Sequence, residues 1–405
     1  MRPIRLAVIF DQLVESGGGY QQALSSALLT KNLPKELTEV LFFTLFEENV
    51  EILASYGIKA EVIKLSLFEK IRNSLRQKIE NKYLFKLIKE IEEYSPYEKK
   101  LIKYQIDLVY FLSPICFQQS LDKLNYITTL WDLCHRDEPE FPEVRENKEF
   151  EKRDISYRNI LPRATAILVD SETGKVNTAH RYGINLDRIH VLPFQPSKFA
   201  SSDKNFNNCQ SSEIYKKFKN EKYIFYPAQL WPHKNHFYIL NGLLELEQKY
   251  GHRISAIFSG TDKGNKKYIE SYAAKMKIED RIHFVGFVSN KEMKKLYQQS
   301  IALVIPSYFG PTNLPPLEAF QLGVPVLCSD IPGTYDQVGD AALLMNLKNP
   351  NSMALCLKNL IESKKLREQL INAGFERLEH LKKNDQVYVL KNIIENFRFK
   401  RLSWN

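Results

Sequence analysis

No two cysteines stand in a CxxC pair, and the five present (Cys116, Cys134, Cys209, Cys328 and Cys356) are scattered and odd in number. That excludes a disulfide framework and a cysteine zinc site, and it fits a reducing cytoplasm. No apolar run reaches the length needed to cross a bilayer, and Met1–Asp11 lacks a signal-peptide pattern. There is no internal repeat and no low-complexity tract. What remains is a composition with 44% hydrophobic and 26% charged residues, which is globular rather than disordered. At 405 residues the chain is too long for one hydrophobic core of ordinary size, so two domains are expected.

The net charge of +9 is concentrated in one place. Residues 64–89 carry eight basic residues against two acids, Glu69 and Glu80. Ile71, Leu75, Ile79, Tyr83 and Leu87 recur every fourth residue there, which predicts an apolar stripe on one helix. A basic amphipathic helix fits an anionic membrane surface, or a solvated helix whose stripe packs on its own domain. The segment lacks interleaved stacking aromatics and any reader motif, so nucleic acid is not an expected partner.

Short apolar strands alternate with helical stretches through most of the chain, the signature of a parallel α/β architecture. Strands are predicted at 5–11, 38–45, 106–113, 125–133, 165–171 and 189–194, and again at 223–230, 255–260, 282–288, 301–307 and 324–330. The polar, Ser- and Asn-rich stretch around 196–213 separates the two series. The expectation is two doubly wound domains facing a cleft: 1–195, a linker at 196–222, and 223–384, with a last helix at 385–400.

Four stretches carry chemistry. SGGGYQQALSSALL (16–29) follows the first strand, and its glycines, Gly18 and Gly19 among them, either let the backbone approach an anion or serve a tight turn. It is not GxGxxG, and no acid follows the second strand at the right place, so a dinucleotide site fits poorly. TLWDLCHRDEPEFPEV (129–144) places Asp132 and His135 three positions apart at a strand end, where both would reach one ligand. The alternative is that Asp132 and His135 are solvent-exposed loop residues and that the acidic and aromatic residues through Phe141 are simply a surface segment. YPAQLWPHKNHFYIL (226–240) sets Lys234 at a helix start, where a cation opposes the dipole, so a phosphate is the better reason for it than structure. His233, Asn235 and His236 add donors beside it. In YFGPTNLPPLEAFQLGV (308–324), Thr312 or Asn313 caps a helix from about Leu314 to Gly323. Pro315 and Pro316 have no N–H, which leaves the amides of Thr312, Asn313 and Leu314 for an anion, and Glu318 one turn further in for a pair of hydroxyls.

As a set these residues resemble the family 4 retaining glycosyltransferases, which have the GT-B fold. The likeness runs through Lys234-Asn235, Gly286-Phe287-Val288, Leu296-Tyr297, Pro306-Ser307, Glu318-Ala319, Gly323-Val324-Pro325-Val326 and Val338–Ala342, roughly residues 223–345. It is looser at Gly17–Gly19, Asp132-Leu133, His135-Arg136 and Asp170-Ser171. The resemblance implies a nucleotide diphosphate sugar, UDP- or GDP-linked, as donor on the second domain, and a glycan or lipid-linked acceptor on the first. Lys234 and the amides at Asn313 and Leu314 would then hold the diphosphate, Glu318 the ribose, and Gly286, Phe287 and Val288 the base. Gly18 and Gly19 would approach the donor from the opposite domain, and Asp132 and His135 would meet the transferred sugar or the acceptor.

Two departures stand out. The family's Glu-x7-Glu pattern has Gly310 at its first acid, so either Thr312 and Asn313 take over or the donor preference differs, and the usual cation five positions before Lys234 is Gln229, which leaves His233 or a residue of the first domain to compensate. GPTNLPPLEA is similar to a variant within the family, which favours an active enzyme. Front-face retaining transfer needs charge stabilisation of the leaving phosphate more than paired carboxylates. With no DxD motif in the chain, no metal is implied and no cofactor is required. The implied role is building a bacterial surface polysaccharide such as O-antigen, lipopolysaccharide or capsule, in the cytoplasm or peripherally at the inner face of its membrane. The alternative, suggested by Gly310 and Gln229, is a non-catalytic nucleotide-sugar-binding subunit.

Overall fold

The computed structural model describes residues 2–13, 18–78, 94–114, 116–200, 213–310, 312–383 and 385–404. Gly17, the stripe positions Ile79, Tyr83 and Leu87, the polar stretch 201–212 and Pro311 lie outside them. The chain forms two compact units, the first of Met1–Leu133, Phe150–Pro193 and Asp385–Asn405, the second of Cys134–Glu149 and Phe194–Asn384. Each holds one parallel sheet, as the alternation of apolar strands and helices predicts.

In the first unit the strands are β1 (Ile4–Phe10), β2 (Thr38–Thr44), β3 (Ala60–Val62), β4 (Leu108–Phe111), β5 (Asn125–Thr129), β6 (Ala166–Val169) and β7 (Ile189–Val191). Their order is β3-β2-β1-β4-β5-β6-β7, and every neighbouring pair is parallel. The edge strand β3 escapes the sequence pattern because three residues with a central exposed glutamate make no apolar run. Alternation along β1 feeds both faces of the sheet. Ile4, Leu6, Val8 and Phe10 enter one core, together with Leu390, Ile393, Ile394 and Phe397 of the helix Gln386–Arg401, while Ala7 and Ile9 enter the other. Burying Phe397 alone contributes about 2–3 kcal/mol, and Gln386 ties the start of its helix to the Pro193 carbonyl.

The second unit contains β8 (Tyr223–Pro227), β9 (Ser255–Ser259), β10 (Ile282–Gly286), β11 (Leu303–Ile305), β12 (Val326–Ser329) and β13 (Ala342–Met345), in the order β10-β9-β8-β11-β12-β13. Here β13 is the strand that sequence periodicity does not reveal. In each sheet the order reverses beside its first strand, between β1 and β4 and between β8 and β11. In open α/β sheets the crevice outside the strand ends at such a reversal is where ligands bind.

Candidate active site

Both loops that the sequence singles out in the second unit leave strands flanking its reversal point. After β8 the chain passes the exposed Gln229, whose side-chain oxygen accepts from Trp231 Nε1 at 2.9 Å. One tight turn, Pro232–Lys234, then leads to Asn235 at φ +56° and into the helix His236–Tyr250. Asn235 does not cap that helix with its side chain, and its Nδ2 is buried without a hydrogen-bond partner. Lys234 is half-buried, and its carbonyl accepts from the buried Tyr226 hydroxyl at 3.0 Å. The same hydroxyl lies 3.0 Å from Ser307 Oγ just beyond β11. A second tie joins the two loops directly, as Tyr308 N–H donates to the His233 carbonyl at 3.0 Å. Lys234 is therefore held at a helix N-terminus by the backbone of its own loop and the side of the next.

The loop after β11 turns at Gly310, where φ is +74°. The expected side-chain cap is not made by Asn313: its Nδ2 turns back to the Gly310 carbonyl. The Asn313 backbone instead exchanges two hydrogen bonds with Gln337, N–H to Oε1 and Nε2 to carbonyl, each 2.9 Å. One of the three amides expected to face an anion is thus already used. Arg377 in turn donates to the carbonyls of Gln337 and Asp336, which braces the clamp. Thr312 and Leu314 are buried, and the helix Leu314–Gln321 ends before Gly323 at φ +69°, where the sequence predicts its stop.

Glu318 projects from that helix into the unit. One oxygen accepts from Ser197 and the other from the Tyr297 hydroxyl at 2.8 Å. Burial raises its pKa, and the two hydroxyl donors only partly offset this. A carboxylate can accept about four hydrogen bonds, so these two donors do not exhaust it. At the end of β10, Gly286 has φ +65°, Phe287 is 67% exposed and Val288 is in the core.

In the first unit the glycine turn has a packing reason. A Cβ on Gly19 would lie 2.8 Å from the Trp131 ring, so this glycine admits an indole. Asp132 Oδ1 accepts from Arg153 at 2.6 Å, and Arg153 also lies over the Tyr157 ring. His135 is fully buried and belongs to the second unit. Beside the glycine turn, at the end of β1, Asp11 is buried against Ser113; burial lifts its pKa to about 7, with the serine bond opposing the rise.

The segment expected to be mere surface is built into the second unit. Phe141 packs edge-on to His233 and Phe309 and tilted against Tyr308. Glu143 accepts from His233 N–H at 3.1 Å and from its Nδ1, and the imidazole stacks on Phe309 at 3.9 Å. Sequence reasoning missed Glu143, Gln337 and Ser197. The only hint at Glu143 is an aromatic and two prolines, Phe141, Pro139 and Pro142, inside a mostly acidic loop, and Gln337 has none.

Residues 209–377 match the family model described as "Glycosyl transferases group 1". An O-antigen chain mannosyltransferase of Salmonella typhimurium, RfbU, is 27% identical over 201 residues, which are 49% of this chain and 52% of that protein. O-antigen chain mannosyltransferase B of Escherichia coli is 24% identical over 241 residues, 58% of this chain and 60% of its own. The chain thus spans about half the length of the curated relatives it matches. Among solved structures, WaaG, a glycosyltransferase involved in lipopolysaccharide biosynthesis, superposes with a TM-score of 0.63 at 15% identity, covering 97% of this chain and 99% of WaaG. Anabaena HepE in complex with UDP-glucose gives 0.63 at 14% identity, covering 99% and 100%. At these identities the likeness is one of fold, the GT-B fold, over nearly the whole chain.

Proposed function

We propose that this protein is a retaining, metal-independent hexosyltransferase of bacterial surface polysaccharide assembly, a reading supported by the match of residues 209–377 to the glycosyl transferases group 1 model on a chain with the GT-B fold. It takes a sugar from a UDP- or GDP-sugar and passes it to a glycan or lipid-linked acceptor. The observation that carries this is the joining of the Lys234 loop and the 308–318 loop, by Tyr308 N–H on the His233 carbonyl, at the reversal point of the second sheet. Two helix N-termini start from these loops, and a half-buried lysine stands at one of them.

In this proposal Lys234 and the N-terminus of the helix His236–Tyr250 hold the donor diphosphate and stabilise the charge that grows on it as the glycosidic bond breaks. Thr312 and Leu314 contribute from the second loop, while Asn313 works through the shape its clamp imposes. Glu318 receives the ribose hydroxyls alongside Ser197 and Tyr297, and the exposed Phe287, after Gly286 and before Val288, meets the base. Gly18, Asp132 and His135 are proposed on the sugar and acceptor side. The departing phosphate takes the acceptor proton, so no separate base is required.

Membrane placement belongs to the same proposal. The helix Leu67–Lys78 exposes Leu67 at 76%, Phe68 at 67% and Ile71, with Lys70 and Arg72 on either side of Ile71. That face suits an anionic bilayer surface. Among the described residues no helix is long and apolar enough to cross a membrane.

A panel of UDP- and GDP-sugars, assayed for binding and for transfer or hydrolysis, tests the proposal. Lys234→Ala is expected to cost a hundredfold or more in turnover, on the order of one lost oxyanion contact. The anomeric configuration of the product, read by NMR, tests retention, and activity in EDTA tests metal independence. Binding of a sugar nucleotide without turnover on any acceptor would instead mark a non-catalytic subunit.

A further inference from the structure

The pairing of Glu143 with His233 sits beside the lysine that the proposed function depends on, and no part of that function uses it. Residues 134–149 belong to the second unit although the chain on both sides of them belongs to the first. Phe141 anchors them against His233, Tyr308 and Phe309. Glu143 then reaches the backbone N–H of His233 at 3.1 Å and its Nδ1 as well. Both side chains are only 10% exposed, and the stack on Phe309, 17° from parallel, fixes the plane of the ring.

A buried carboxylate against an imidazole holds the ring in one orientation with a proton at Nδ1. Burial raises the Glu143 pKa, yet the bonds from the His233 ring and backbone, together with its charge, bring it below the usual carboxylate range. The charges of Lys234 and His233 both reach His236, the first residue of the helix: after burial, they are the causes that push its pKa down to about 3. His233 and Lys234 stand in the turn that precedes the helix His236–Tyr250, at an N-terminus where an anion is favoured. Meanwhile Gln229, which stands where the family resemblance expects a cation, is engaged with Trp231.

We propose that His233 is a second hydrogen-bond donor for the donor diphosphate, beside Lys234, and that Glu143 is the positioning residue that orients it. This rests on the donor site described under Proposed function. The Glu143–His233 pair then offers the diphosphate an oriented donor on the loop where Gln229 brings no charge. It supplies direction rather than net charge, since the carboxylate balances the imidazolium.

The test compares UDP and GDP with uridine and guanosine on the full chain, by calorimetry for the nucleotides and NMR titration for the nucleosides. Glu143→Gln keeps an oxygen for the His233 N–H but removes the carboxylate. It is expected to weaken binding of the preferred diphosphate about tenfold, the size of one charge-assisted hydrogen bond, and to leave the nucleoside unchanged. Adding Gln229→Arg to Glu143→Gln is expected to recover most of the loss, which a merely structural tie would not allow. His233→Gln should repeat the selective loss, and it carries the test if Glu143→Gln does not fold. Equal weakening of nucleotide and nucleoside, wild-type affinity in both variants, or no recovery with Gln229→Arg overturns the inference and leaves the donor site standing. A wild-type chain that binds neither UDP nor GDP removes the proposed donor site and this inference together.

Discussion

The indole of Trp131 occupies the space above Gly19 in which any other residue would place its Cβ, with ring atoms 2.8 and 2.9 Å from that position. Gly19→Ala should displace the ring or the start of the helix Gly18–Thr30 and cost about 1–3 kcal/mol, the usual range for overpacking. Thermal unfolding followed by Trp fluorescence measures this. An unchanged melting temperature together with lost ligand binding would show that the glycine serves a ligand instead.

The carboxyl of Glu318 depends on two hydroxyls, those of Ser197 and Tyr297. Tyr297→Phe and Ser197→Ala should each destabilise the protein by about 1–3 kcal/mol, since each leaves a buried acceptor short of a partner. The double variant should cost less than the sum, because both losses fall on one group. Strict additivity in urea denaturation counts against this account.

Gln337 clamps the backbone of Asn313 from both sides. Gln337→Ala should release the loop before the helix Leu314–Gln321, so that amide exchange at Asn313 quickens while exchange in β11 and β12 is unaltered. Donor KM should rise several-fold. Unaltered exchange at Asn313 would mean the loop holds its shape without the clamp.

Two buried groups give stability opposite dependences on pH. Asp11, raised by burial to about 7, binds a proton more tightly folded than unfolded, so folding stability falls as pH rises from about 4 to about 7. The full effect has an upper limit on the order of 4 kcal/mol. His236, lowered by burial and neighbouring cations to about 3, must stay neutral in the folded state, so stability falls as pH drops below about 6.5. Asp11→Asn should raise the melting temperature at pH 8 and leave a protein that loses stability on acidification. A melting curve for Asp11→Asn that parallels wild type from pH 5 to 8 contradicts the assignment.

Alternating apolar strands and helices were enough to predict two parallel sheets, because buried parallel strands are long apolar runs. They were not enough for β3, three residues around an exposed glutamate, nor for β13, whose four apolar residues are too short a run to tell from a helix segment. In the proposed site, the place of Lys234 just before a helix was legible from the turn residues around it, and a cation there opposes the dipole. Glu143 and Gln337 were not, since each acts through a partner far away in sequence, 90 and 24 positions respectively. The glycine turn left two readings open, because a sequence reports that a side chain is missing, not whether a ligand or the ring of Trp131 takes its place.

The hydrogen bond from Tyr308 N–H to the His233 carbonyl, with Phe141 lodged against both residues, has a practical result for chimeras. Transplanting residues 308–318 from a relative of different donor preference would set a foreign loop against a native one and lose the fit between them. On the proposed donor site, segments 141–143, 229–236 and 308–318 would be exchanged as one cassette. Moved together, they should carry sugar-nucleotide preference from one scaffold to another where any one of them alone would yield an inactive hybrid.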